Sequence, residues 1–397
     1  MTNILPVTNV LDDEQHLVRA RVSLTQQIDR GSVVLCSPLA EAFLRVPRHP
    51  FVPVFYRREG ERFIPWRITD GDAEAWLDAV YTDDSLITEV DGVHAEHAGP
   101  GGVTGVPTSS STAPSLMADM LDALDVNEGD EVYEAGAGSG YHAAMLCHLA
   151  GDQHVTTVDH SDTLTTLARE RLNGIGFDPL VIHGDGARDV PPDARYDRII
   201  ATASVRRVPL LWLERCRTGG ILVVPIKGTL AGGMIARLTK LPDGTAAGRI
   251  LHTPAAFMPL KSGTEDEAQV PEIPDGPCRD AEVSGRLLDD WTFSFFAQLH
   301  LPRGLVRTYG RSDDGLHVTT LYDPADGSAT RIEDRPGATP LVTATGPRDL
   351  WAPMEDAHQL WRRLHRPRRE WFCIEVTPTE QTVTYTAPDG HTHRWLL

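Results

Sequence analysis

Apolar residues fall at helical spacing over residues 12–28, where Leu17, Val18, Val22, Leu24 and Ile28 form a broken stripe among charges, and a second helix is predicted over 37–46. The stretch Val46-Pro47-Arg48-His49-Pro50-Phe51-Val52-Pro53 ends it, because three prolines forbid helix and impose an extended path. Residues 63–84 are aromatic and acidic (Trp66, Trp76, Tyr81, Asp83, Asp84), and the glycine-rich residues 91–107 read as an exposed loop. Leu116, Met117, Met120, Leu121 and Leu124 predict a further helix behind Pro114. The hydroxyl run before it, from Thr108 to Ser115, has the composition of a helix cap, which does not exclude a second role.

Beyond residue 130 short apolar runs alternate with helix-compatible segments. Strands are predicted over 131–133, 155–158, 180–183, 198–202, 221–226 and 234–238, with helices over 141–150 and 164–173. This alternation implies an α/β fold whose parallel-rich sheet is covered on both faces, with ligands at the carboxyl ends of the strands. Between the first strand and its helix lies Glu134-Ala135-Gly136-Ala137-Gly138-Ser139-Gly140-Tyr141, a turn that lets a ligand approach the backbone beside a helix start. The dinucleotide fingerprint requires a glycine where Tyr141 stands, which disfavours NAD. Glu134 before the first glycine, and Asp159 closing the next strand where it can accept from both ribose hydroxyls, fit S-adenosylmethionine better. The bland alternative is a tight turn with no ligand. The candidate cofactor-binding set is Glu134, Gly136, Ala137, Gly138, Asp159, His160, Asp185 and Gly186. Asp185 standing alone would read as an ordinary turn aspartate.

Composition narrows the partners. A formal net charge of −19 over 397 residues, with no offsetting basic stripe, disfavours nucleic acid and favours a peptide or small molecule. The five cysteines are scattered and without CxxC spacing, so neither a disulfide framework nor a zinc site is expected, and no metal is assigned. Neither a signal peptide nor an apolar run long enough for a membrane span is present, and a cytoplasmic enzyme is the expectation.

Seven motifs occur in a telling order: the Val46 to Pro53 stretch, Tyr81-Thr-Asp-Asp, the Thr-Ser-Ser-Ser-Thr-Ala-Pro run, the glycine turn through Ala144, Gly184-Asp-Gly186, Tyr196-Asp-Arg-Ile-Ile-Ala-Thr-Ala203 and Gly219-Gly-Ile-Leu-Val-Val-Pro225. Together, over roughly residues 37 to 240, they resemble the protein-L-isoaspartate (D-aspartate) O-methyltransferase family. The resemblance implies a class I (Rossmann-like) S-adenosylmethionine-dependent methyltransferase sheet, with N-terminal helices and a substrate loop over the cofactor. It also implies that Thr112, helped by Ser110 and Ser111, hydrogen-bonds the acceptor carboxylate or the cofactor. The chain departs from the family's pattern in having Thr112 where a serine is usual, and about twenty added residues (87–106) before the hydroxyl run.

The predicted organisation is an N-terminal helical and substrate-loop region (1–110), a methyltransferase core (111–260), a linker (261–278) and a smaller C-terminal α+β domain (279–397). In that last domain strand-like runs at 291–301, 305–309, 317–322 and 341–344 precede a helix over 350–364 and two final strands at 371–376 and 382–386. The cluster Arg362, Arg363, Arg366, Arg368 and Arg369 suits an acidic peptide or, equally, a solvated helix end. The long C-terminal part and the sequence from Gly346 to Trp371 resemble family members found with biosynthesis of ribosomally made modified peptides. The leading expectation is therefore methylation of an aspartate in such a precursor peptide, with closure of the ester to a succinimide. The alternative is repair methylation of isoaspartyl residues, and a third reading is a peptide-binding module without catalysis.

Overall fold

The computed structural model describes residues 11, 13–29, 37–228, 230, 233–261, 273 and 278–397. The chain divides into two compact units, one of residues Met1–Thr202 and Glu214–Val223 and the other of Ala203–Leu213 and Val224–Leu397. The expected linker at 261–278 lies almost wholly outside the described residues.

In the first unit, helices α1 (Glu14–Asp29) and α2 (Ser37–Arg45) match the predicted pair. The proline-bearing stretch then makes a short 3-10 turn and enters a small antiparallel sheet, β1 (Val54–Glu59) and β2 (Arg62–Arg67), followed by α3 (Ala73–Val80), β3 (Leu86–Val90), β4 (Val93–His94) and β5 (Pro107–Ser111). Both β1 and β5 pair with β3. Here the structure corrects two expectations. Residues 91–107 are not simply an exposed loop: β4 pairs with β3, Ala95 and Ala98 are buried, and Phe63 and Val103 exchange backbone hydrogen bonds of 2.8 and 2.9 Å. Gly102 permits this close return, since a Cβ there would sit 2.3 Å from the Phe63 carbonyl oxygen. Nor does the hydroxyl run cap the next helix, α4 (Pro114–Leu124), whose N-cap is Ala113 and makes no side-chain bond. The run instead becomes β5 because its hydroxyls find partners across the sheet, and Asp83 Oδ1 takes up the Ser115 N–H at 2.8 Å.

The core of this unit is a parallel sheet in the order β10-β9-β6-β7-β8: β6 (Val132–Ala135), β7 (Val155–Asp159), β8 (Leu180–His183), β9 (Tyr196–Ala201) and β10 (Cys216–Ile226). Helix α5 (Tyr141–Ala150) follows β6 and α6 (Asp162–Gly174) follows β7. The chain leaves β6 towards β7 and β8, then crosses back to β9 on its other side, so the strand order reverses at β6. That reversal opens a crevice at the carboxyl ends, where ligands of such sheets lie.

The second unit carries two antiparallel sheets. One orders β11 (Met234–Lys240), β12 (Ala246–Ile250), β18 (Cys373–Val376), β19 (Gln381–Thr386) and β20 (Thr392–Leu396). The other runs β13-β17-β16-β15-β14, from β13 (Cys278–Asp280), β14 (Val306–Arg311), β15 (His317–Asp323), β16 (Ser328–Asp334) and β17 (Leu341–Thr345). Its longer helices among the described residues are α7 (Trp291–Gln298) and α8 (Ala352–Arg363). The aromatic run at 291–301 was expected as strand, yet Asp290 caps it through the Thr292 and Phe293 N–H groups and Phe293, Phe295 and Phe296 are all buried. Cap and packing override the β-propensity of its aromatics. Three closing strands stand where two were expected. In the basic cluster Arg369 is buried and donates to the Gly233 and His252 carbonyls, so it is a packing residue.

Candidate active site

The glycine turn leaves β6 with Gly136, Gly138 and Gly140 at φ of 108°, 51° and 88°, the left-handed region where a side chain is strained. Gly140 also has no room: a Cβ there would lie 3.2 Å from Ala168 and 3.3 Å from Phe51. Gly138 differs, because a Cβ there would reach only van der Waals contact with the Ser110 carbonyl oxygen (3.8 Å) and Ser109 Oγ (3.9 Å). The structure thus brings β5 and the glycine turn face to face.

Asp159, at the end of β7, aims at the same turn. Its Oδ2 accepts the Gly138 N–H at 2.9 Å and its Oδ1 the Ser161 N–H at 3.1 Å, with His160 Nδ1 also 3.1 Å from Oδ1. Two backbone donors fix the carboxylate, and Oδ2 keeps a lone pair for a hydroxyl. Glu134 is placed differently: it is fully buried, with Oε1 2.6 Å from His142 Nδ1 and Oε2 accepting Thr157 Oγ1–H at 2.6 Å. These bonds tie the strand end to the first turn of α5. Ala137 is buried within the turn and donates its N–H to the Val158 carbonyl. At Asp185, Oδ1 accepts the Ala187 N–H at 2.8 Å within its own turn, while the Gly186 carbonyl accepts the Tyr133 hydroxyl at 2.7 Å.

The hydroxyl run divides cleanly. Thr108 donates to Glu89 Oε1 at 2.7 Å, Ser109 Oγ accepts from Thr88 at 3.1 Å, and buried Ser111 Oγ lies 3.5 Å from Arg48 Nη2. Ser110 and Thr112 are half-buried, and among the described residues neither hydroxyl is engaged within the chain. Of the three expected acceptor-side residues, Ser110 and Thr112 are therefore available and Ser111 is committed to structure.

Several contributors escaped the sequence reading. Thr202, at the end of β9, donates its hydroxyl to the Gly136 carbonyl. Arg171 on α6 donates to the Ser139 carbonyl at 3.1 Å and pairs with Glu96, so the segment added before β5 is tied to the cofactor turn. Thr202 lay inside a quoted motif, but Arg171 sits on a helix with no local signal.

These residues fit S-adenosylmethionine: a glycine-rich turn with positive φ at Gly136, Gly138 and Gly140, an acid fixed by backbone donors, and β5 against the turn at Gly138. Fold and site define a class I S-adenosylmethionine-dependent carboxyl O-methyltransferase. The model of the family "Protein-L-isoaspartate(D-aspartate) O-methyltransferase" matches residues 97–265. A protein-L-isoaspartate O-methyltransferase of Methanopyrus kandleri is 33% identical over 264 residues, 66% of this chain and 99% of the relative. One of Ignicoccus hospitalis is 40% identical over 151 residues, 38% of this chain and 71% of the relative. The chain belongs to the protein-L-isoaspartate O-methyltransferase family. A solved structure bearing that name covers 95% of this chain and 99% of its own with a TM-score of 0.51 at 20% identity, which shows the shared fold. Among the described residues no helix is long and apolar enough to cross a membrane.

Proposed function

We propose that the chain methylates the free carboxylate of isoaspartyl residues in proteins or peptides. The observation that carries this is the pair of hydroxyls, Ser110 and Thr112, that no group among the described residues engages, at the exit of the strand whose Ser109 and Ser110 meet the glycine turn. Bound S-adenosylmethionine supplies an electrophilic methyl group, which the carboxylate oxygen takes as the carbon–sulfur bond breaks, leaving a methyl ester and S-adenosylhomocysteine. A carboxylate is already ionised at neutral pH, so no general base is required. What the protein contributes is alignment and exclusion of water. Asp159 holds the ribose, the glycine turn admits the cofactor's backbone-contacting edge, and Thr112 and Ser110 donate to the acceptor.

The second reading, methylation of an ordinary aspartate in a modified precursor peptide, is favoured by one observation. The added segment is tied to the glycine turn through Glu96 and Arg171. The C-terminal unit does not favour it, because a solved isoaspartate methyltransferase spans nearly the whole of this chain. Methyl transfer by Thr112→Ser and Thr112→Ala decides the hydroxyl's part: the serine variant keeps turnover within a few-fold, while the alanine variant loses about tenfold or more, as for one missing hydrogen bond to a charged group. Full turnover by Thr112→Ala contradicts the assignment.

A further inference from the structure

Arg48 is completely buried, and its guanidinium bonds run to backbone carbonyls and one hydroxyl. Nη1 donates to the carbonyls of Val80 (3.0 Å) and Thr82 (2.9 Å). Nη2 donates to those of Asp84 (2.9 Å), Thr112 (3.2 Å) and Ser111 (3.5 Å), and to Ser111 Oγ (3.5 Å). Its own N–H donates to the Tyr81 hydroxyl at 3.1 Å. Both terminal nitrogens are filled while Nε finds no partner among the described residues, and only a planar fork reaches carbonyls in several directions. The groups it gathers belong to two segments, the turn from α3 to β3 and the exit of β5. The first segment also holds the second directly: Ser85 Oγ accepts the Ala113 N–H at 3.1 Å and Asp83 Oδ1 the Ser115 N–H at 2.8 Å. The main chain at 112–115 is thus pinned at three points while the Thr112 hydroxyl stays uncommitted. Burial lowers the Arg48 pKa to about 10, which leaves it charged at neutral pH.

We propose that Arg48 is a positioning residue for methyl transfer, fixing the main chain of Thr112 so that its hydroxyl meets the acceptor carboxylate. This rests on the methyl-transfer reading above. Cofactor binding depends on other groups, Asp159 and the glycine turn, so the two functions separate in a variant.

Arg48→Lys and Arg48→Ala in the full chain are compared with the wild type by turnover on an isoaspartyl peptide and by binding of S-adenosylhomocysteine. The expected result is a fall in kcat of about a hundredfold for either variant, the effect of an ångström-scale misplacement, with cofactor affinity nearly unchanged. Guanidinium ion restores Arg48→Ala by about tenfold or more and an equal concentration of sodium chloride does not, which a merely destabilised fold would not show. Unchanged kcat, or cofactor affinity falling in step with kcat, overturns the proposal. If neither variant folds, Tyr81→Phe, which removes the bonds of its hydroxyl to the Arg48 N–H and to His49 Nδ1 and leaves every guanidinium bond in place, carries the same comparison. A wild type that labels no peptide defeats the methyl-transfer reading on its own. The positioning claim is then read from amide hydrogen exchange: faster exchange at 111–115 with 134–142 unaltered in Arg48→Lys upholds it, and equal exchange overturns it.

Discussion

Asp159 and Glu134 are two acids that the sequence presents alike and the structure uses differently. Asp159 lies at a strand end with backbone donors behind it, so Asp159→Asn, which turns one acceptor into a donor, is expected to weaken S-adenosylhomocysteine binding about tenfold or more, measured by calorimetry. Glu134 is spent on Thr157 and His142, so Thr157→Val is expected to cost about 1.5–3 kcal/mol of stability in urea unfolding, leaving a buried carboxylate short of a donor. The position of both acids was legible because a residue before a glycine turn and one at the end of the next strand are fixed by chain order. Their roles were not, because which way a carboxylate turns depends on His142, Thr157 and Ser161, whose contacts no spacing reveals.

At the scale of elements, α4 begins without a cap of its own and borrows one from the turn before β3. Asp83→Ala is expected to cost about 1 kcal/mol of stability, as loss of a helix-capping bond does. The alternating strands and helices after residue 130 were readable, since apolar runs buried on both faces leave a plain signal. The N-terminal sheet was not, because its strands are short and polar and its pairing depends on folding back at Gly102. That sheet and the segment before it carry a pH dependence. Burial holds His49 and His94 neutral, with pKa lowered to about 4 in each. The unfolded chain takes up these protons near pH 6.5 and the folded chain only near pH 4, so their contribution to stability is full above about 6.5 and is lost as pH falls towards 4. Urea midpoints at pH 7 and 4.5 are expected to show this drop, and His94→Asn, which keeps an acceptor for the Glu96 N–H, is expected to flatten it.

For the whole molecule, the methyltransferase class was legible in the order of motifs, because the glycine turn and Gly184-Asp-Gly186 follow strands of one parallel sheet and two further motifs lie on its strands β9 and β10. The choice of acceptor was not. The length of the chain pointed to a peptide-tailoring enzyme, yet a solved structure bearing the family's name shares the fold over 95% of it. The decisive measurement is transfer of labelled methyl from S-adenosylmethionine to two peptides of one sequence, one with isoaspartate and one with aspartate at the same position. The account predicts strong labelling of the isoaspartyl peptide and next to none of the other. Labelling of the aspartyl peptide alone, or of neither, contradicts it.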